Sequence, residues 1–360
     1  MTAGRIYLDH AATTPLTPRA RTAMAEALAR WSNPSSVHSE GRAARAALEE
    51  ARAHILNGLG APAGATLVFT SGASEALGIA LGRGRAAARM VSAVEHDAVL
   101  RVAGDAERLP VNPSGIIDRD AVRQAVGRAQ APALVAVQHV NNETGVVQDI
   151  AAIAEIVRQA GGILLCDAAQ SAGKLRLPDA DMIAVSAHKF GGPPGIGALI
   201  LKNDRLIEPM GGQERGLRGG TENLPAILGF AAALDGMADW TTATAPLRQR
   251  LEQGVASAGG AAIAAAAGRV PWISALHMPG VPAATQLMHF DMAGIAVSAG
   301  AACSSGSMKP SHVLAAMGIA PDVLGSVIRV SLSPCTRPQE IDAFLAEWRK
   351  LFTKAGPHTI

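Results

Sequence analysis

Aromatic residues are scarce in this chain: six Phe, four Trp and one Tyr make up 3% of 360 residues. A platform for stacking nucleic-acid bases needs more of them. An excess of positive charge is missing as well. Lys and Arg total 32 against 30 Asp and Glu, a formal +2, so the composition gives no draw toward nucleic acid or an anionic membrane. Cysteine is nearly absent. Cys166, Cys303 and Cys335 lie far apart, which excludes a disulfide framework, and without CxxC or HExxH spacing they give no metal site. The apolar stretch 261–267 is short and alanine-dominated, far below a membrane span. The opening MTAGRIYLDH has neither the apolar region of a signal peptide nor an arginine-rich amphipathic helix. A reducing cytoplasm is the expected compartment, and each thiol has to be judged singly.

Hydrophobic residues are plentiful, at 49%, and a chain of this length has room for two cores. GRAARAALEEARAHILNGLG (41–60) carries Ala44, Leu48, Ala51, Ile55 and Leu59 at three-to-four spacing, which predicts an amphipathic helix closed by glycine. TLVFT (66–70) predicts a strand, with a turn at Ser71-Gly72 and a helix from Ser74. RMVSA, ALVAVQHV, GILLCD, DMIAVSA and GALIL are further short apolar runs. Continuous apolar strands separated by helices imply an α/β fold with a mainly parallel sheet covered on both faces. After a helix through AILGFAAALDGMADW, the polar TTATAPLRQR is the candidate domain boundary. Beyond it the pattern predicts a smaller α/β layer with a glycine-rich loop at 299–306, the strand SVIRVSL and a last helix from Pro338.

Ligands of open α/β sheets bind beyond the carboxyl ends of the strands, and the polar residues of interest fall there. In IAVSAHKFGGPPG (183–195) a strand delivers Lys189 into a glycine-rich turn. CDAAQSAGK (166–174) ends another strand with Asp167, followed by Gln170. Such an aspartate commonly caps the next helix; its other use is to hold a pyridinium nitrogen protonated. A lysine able to form a Schiff base plus that carboxylate is what a pyridoxal phosphate (PLP) site requires. TSGASEA (70–76) sets Gly72, Ala73 and Ser74 at the start of a helix, either a plain serine cap or an anion-binding turn. His96 in EHDAV ends a further strand, as a structural histidine or as a catalytic one whose flat ring stacks on a cofactor and shuttles protons. HVNNETG (139–145) is a polar turn or a hydrogen-bonding site. Cys166 closes an apolar run and reads as a buried hydrophobe. Cys335 sits in a proline turn. Cys303, in SAGAACSSGS, lies among small residues that no packing argument requires, the setting of a reactive thiol.

Taken in order, these segments resemble the cysteine desulfurases of the class V aminotransferase branch of fold-type-I PLP enzymes. The resemblance also covers YLDHAATTP (7–15), NPSSVHSEGRAAR (33–45), GGQERGLRGGTEN (211–223), PSHVLAAMG (310–318) and IRVSL (328–332), so it runs nearly end to end. It implies a large domain, 14–246, built on a mainly parallel seven-stranded sheet, and a small α/β domain of 1–13 and 247–360 carrying the cysteine loop. It further implies that Lys189 holds PLP and moves the substrate Cα proton. Ala73, Ser74, Ser186 and His188 would surround the phosphate, with Thr221 reaching in from the second subunit of a homodimer. Asp167 would pair with the pyridine nitrogen, Gln170 and Asn142 would contact the ring-hydroxyl side, and His96 would stack on the ring. Arg329 would grip the carboxylate of L-cysteine, and Cys303 would accept sulfur as a persulfide. The implied partners are sulfur-acceptor or scaffold proteins of iron–sulfur cluster or other sulfur-cofactor biosynthesis, with transient cluster contact through Cys303. The chain departs from the family pattern in Ser74 for threonine, RGGT for RSGT and GAAC for GSAC. A selenocysteine lyase or another class V enzyme is the alternative, and a scaffold subunit that has lost activity would not be expected to keep Lys189, Asp167 and Cys303 together.

Overall fold

The computed structural model describes residues 4–30, 32–300 and 310–355. Cys303 lies outside the described residues. The strands are β1 (Ile6–Tyr7), β2 (Thr66–Thr70), β3 (Ala88–Ser92), β4 (Glu107–Leu109), β5 (Ala133–Gln138), β6 (Ile163–Asp167), β7 (Met182–Ser186), β8 (Gly197–Leu201), β9 (Ala261–Ala262), β10 (Ile273–His277), β11 (Ile295–Ala296) and β12 (Val327–Ser331). The helices are α1 (Pro18–Leu28), α2 (Ser39–Gly58), α3 (Ala73–Arg83), α4 (Asp97–Ala103), α5 (Arg119–Arg128), α6 (Ile150–Gln159), α7 (Leu224–Leu234), α8 (Trp240–Ser257), α9 (Ala283–Met292), α10 (His312–Ala316), α11 (Pro321–Leu324) and α12 (Pro338–Ala355).

Seven strands form the central sheet in the order β2-β8-β7-β6-β5-β3-β4. Pairings β3–β4, β3–β5, β5–β6 and β6–β7 are parallel, while β8 runs antiparallel to both β7 and β2. Every strand but β8 therefore points the same way, as the continuous apolar runs predict. Side chains alternate between two cores. Leu67, Phe69, Val135, Val137, Leu164 and Val185 face a layer that includes α2, α6 and α7. Val68, Leu134, Ala136, Leu165 and Ala184 face α3 and α4 on the other side.

A third core joins Trp240, Leu251, Trp272, Phe290, Phe344 and Trp348, from α8, the residue before β10, α9 and α12. Its sheet has the order β12-β10-β9, and the chain's first strand joins it indirectly, β1 pairing in parallel with β11. The polar segment TTATAPLRQR is helical, lying within α8. Asp239 caps that helix, and Trp240, Thr244, Leu247, Leu251 and Val255 form its buried stripe. The break between helices falls earlier, after Leu234, so the helix expected to run through Trp240 stops short of it.

Candidate active site

Because β2, β3, β5, β6 and β7 are parallel in direction, their carboxyl ends share one edge, where β8 begins. Loops leaving that edge line a cavity of about 480 Å3. Lys189, Asp167, Gln170, His96 and Asn142 all reach its wall, as do Ala73, Ser74, Ser186 and His188. Arg329, from β12 of the smaller sheet, closes the opposite side. Ten of the twelve residues singled out from the sequence thus meet in one place. Thr221 is exposed and does not line its own chain's cavity, and Cys303 is outside the described residues.

Lys189 ends a single 3-10 turn, Ala187–Lys189, that follows β7 directly. Its Nζ donates to two backbone carbonyls, Ala11 O at 2.7 Å and Ala12 O at 2.9 Å. Burial lowers its pKa to about 8, and the Arg329 charge adds to this, while Asp167 and Asp9 pull the other way. An amine that sheds its proton this easily is suited to nucleophilic work. The carbonyl cradle comes from YLDHAATTP. Ala11 N is held by Ser331 Oγ at 2.8 Å, Thr14 N donates to His188 O at 2.8 Å, and Thr14 Oγ1 donates to Lys189 O at 3.1 Å. Sequence reasoning assigned this stretch no role, because main-chain acceptors leave no mark on residue identity.

Asp167, at the end of β6, sits opposite Gln138 of β5 and Ala184 of β7. Its Oδ1 accepts from Ala169 N at 2.9 Å, and burial raises its carboxyl pKa against the opposing pull of His96 and Lys189. His96 caps a helix and also lines the cavity. Its Nδ1 accepts from Ala98 N at 3.1 Å, capping α4, while the ring lines the cavity. Burial lowers its pKa, and a capping Nδ1 leaves the proton of the neutral ring on Nε2. Gln170 Nε2 donates to Ala11 O at 2.8 Å, and among the described residues its buried Oε1 has no partner.

Arg329 donates from Nη1 to Asn142 O at 3.0 Å and from Nη2 to Asp9 Oδ1 at 2.8 Å. Asp9 is a partner the sequence reading missed. Its neighbour Tyr7 donates to Asp9 O at 3.0 Å, and burial, then the Asp9 charge, pushes the Tyr7 hydroxyl up to about 12. A second lysine, Lys174, is buried with its Nζ 4.2 Å from the centre of the Trp240 ring and 5.6 Å from that of Trp272.

The turn before α3 needs glycine at a neighbouring position. A Cβ on Gly197 of β8 would lie 2.6 Å from Gly72 Cα and 2.4 Å from Val185 O, so only glycine admits the turn this close to the sheet. No side chain caps α3. Its first-turn amides are left without a side-chain cap at the cavity wall, beside Ser74, an arrangement that suits an anion.

The chain matches the aminotransferase class-V family over residues 6–344, and it belongs to that family. Within the family its curated relatives include a cysteine desulfurase of Cereibacter sphaeroides, 40% identical over 95% of this chain and 94% of the relative. Among solved structures, a NifS-like protein from Rickettsia africae superposes with a TM-score of 0.89 at 30% identity, covering 97% of this chain and 99% of that one. A structure described as SspA in complex with cysteine gives a TM-score of 0.78 at 29% identity over 91% of this chain and 99% of that one.

The family is PLP-dependent, and the cavity fits that cofactor on its own evidence. An amine of low pKa, a buried carboxyl group, the unpartnered Gln170 Oε1 and the uncapped α3 amides all reach one wall. These groups match, in turn, an aldehyde, a pyridinium, a ring hydroxyl and a phosphate.

Proposed function

We propose that this protein is a PLP-dependent cysteine desulfurase that takes sulfur from L-cysteine onto Cys303 and releases L-alanine. The observation that carries the reading is the single cavity in which the Lys189 amine faces Asp167 and Arg329. PLP, when bound, withdraws electrons from the substrate Cα. Lys189 supplies the amine that anchors the cofactor and moves the proton at Cα. Asp167 would keep the pyridine nitrogen protonated, Ala73, Ser74, Ser186 and His188 would surround the phosphate, and His96 would stack on the ring. Gln170 and Asn142 would contact the ring-hydroxyl side. Arg329 orients the substrate through its carboxylate.

Cys303, as thiolate, attacks the substrate sulfur. The S–S bond forms as the Cβ–S bond breaks, the electron pair stays on Cβ, and a proton completes the alanine methyl group. The persulfide then passes to an acceptor protein, the supply route of iron–sulfur cluster or other sulfur-cofactor assembly. Thr221, exposed on its own chain, fits a role at the phosphate of a two-fold partner. The cores flanking the seven-stranded sheet and the separate core around Trp272 and Phe344 support a large and a small domain. Trp240 packs in the latter core and α8 runs unbroken from it, which favours a boundary near 240 over one at 246. A reducing cytoplasm suits a nucleophilic thiol, and Cys166 and Cys335 are both unpaired.

Incubation with L-cysteine and a reductant should yield alanine and sulfide in equal amounts. Lys189→Ala should lose the borohydride-reducible adduct, whereas Cys303→Ala should keep it and lose sulfur transfer. Full sulfide release by Cys303→Ala, or persulfide found only on Cys166 or Cys335, refutes the assignment of the thiol.

A further inference from the structure

Glu143 lines the same cavity, is almost fully buried, and has no part in the mechanism above. Its Oε2 accepts a hydrogen bond of 2.6 Å from Ser311 Oγ. Ser311 Oγ in turn accepts from Leu314 N at 3.1 Å and so caps α10. On the other side of 301–310 stands Gly300, so close that a Cβ there would lie 2.8 Å from Glu143 Oε2 and 3.0 Å from Ser311 Cβ. The chain leaves the cavity wall at Gly300 and meets it again at His312, next to Ser311, and one carboxyl oxygen abuts both Gly300 and Ser311. In sequence, Cys303 lies between them.

The other side of Glu143 is equally fixed. Its backbone N donates to Asn141 Oδ1 at 2.9 Å, and Asn141 Nδ2 donates to Val94 O at 3.2 Å, beyond the end of β3. The next residue back, Asn142, gives its carbonyl to Arg329 Nη1. Arg329 and Ser298 also exchange backbone hydrogen bonds of 2.6 and 3.1 Å just before Gly300. Burial raises the Glu143 pKa, the Ser311 hydrogen bond and the charges of His312 and Arg329 lower it, and Asp97 adds to the rise.

We propose that Glu143 is a positioning residue for sulfur transfer, its carboxyl group bonding to Ser311 and packing against Gly300, the two residues that flank the Cys303 segment, beside the turn that steadies Arg329. The proposal rests on the reading of Cys303 as sulfur acceptor. Alanine at 143 removes the oxygen between Gly300 and Ser311, whereas glutamine restores its shape and an acceptor for Ser311.

The test compares holoenzyme carrying Glu143→Ala, Glu143→Gln or Gly300→Ala with wild type and Cys303→Ala. L-Cysteine titrated into each is followed by cofactor absorbance, and Cys303 persulfide is followed by mass spectrometry in a single turnover. Glu143→Ala should keep half-saturation within about twofold and slow persulfide formation about tenfold, with Glu143→Gln regaining most of the rate. Gly300→Ala, which crowds the same oxygen, should repeat the pattern should Glu143→Ala fail to fold. Amide hydrogen exchange in 311–316 should quicken in Glu143→Ala. An unchanged persulfide rate in both Glu143→Ala and Gly300→Ala, or a Gln variant as slow as Ala, overturns the role of Glu143. So does a rise in half-saturation that matches the loss of rate, since the residue would then act through Arg329. Undiminished sulfur transfer by Cys303→Ala overturns instead the reading of the thiol on which the proposal stands.

Discussion

At the scale of single residues, two lysines of different role show what burial does to an amine. Lys189 sits at about 8 because burial, then Arg329, opposes its charge while Asp167 and Asp9 favour it. The ammonium form cannot attack an aldehyde, so capture of PLP by apoenzyme should rise with pH and level off above about 8. Asp9→Asn removes a favouring charge and should move that midpoint down, and Arg329→Gln should move it up, both read by stopped-flow absorbance. Shifts in the opposite sense would exclude this electrostatic account. Lys174 is pressed well below its ordinary value by burial and then by Lys189. In the unfolded chain it holds a proton to about pH 10, so the unfolded state binds more protons and the stability this group contributes rises with pH. Lys174→Met should remove that slope and, at neutral pH, stabilise the fold by about 1 kcal/mol or more, measured by urea unfolding at several pH values. The side chains of the site were legible in the sequence, since Lys189, Asp167 and His96 each follow an apolar run. Asp9 and the Ala11 and Ala12 carbonyls were not, because their importance comes from a crossing between distant segments.

At the scale of elements, the sheet was the readable part. Runs such as TLVFT and GALIL coincide with β2 and β8 because strands buried on both faces must be apolar throughout. β4 was missed, since at this edge position two of its three residues, Glu107 and Arg108, are exposed. TTATAPLRQR misled for a related reason. A helix on a domain surface needs only a narrow buried stripe, and Thr244 fills one of those places with its hydroxyl turned back to Trp240 O at 2.6 Å. Where elements touch, glycine sets the tolerance. Gly197→Ala should displace the turn before α3, destabilise the protein by about 1–3 kcal/mol and weaken PLP binding. Gly78→Ala, inside α3 with no atom within 4 Å of the added carbon, should stabilise by up to about 1 kcal/mol. Thermal unfolding and cofactor titration of the pair separate packing from helix propensity.

At the scale of the whole molecule, the proposed dimer makes each site a joint product. Mixing a Lys189→Ala chain with one carrying a bulky Thr221→Phe should restore activity, because each hybrid dimer then has one site with both residues intact. No recovery, with hybrids verified by native mass spectrometry, would place Thr221 within its own chain's business. Within one chain the two ends also have to meet. Asp9 bridges to Ser331, Ala11 hangs on the Ser331 hydroxyl, and Lys189 hangs on Ala11. Contacts so distant along the chain close late in folding. On a ribosome, Ala11 is made 320 residues before Ser331, and Lys189 lies between them. A nascent chain that has just made Lys189 therefore still lacks Arg329 and Ser331, and the amine can take up its low-pKa setting only after those residues have followed. Loading with an aldehyde cofactor is in this way timed to follow the synthesis of β12.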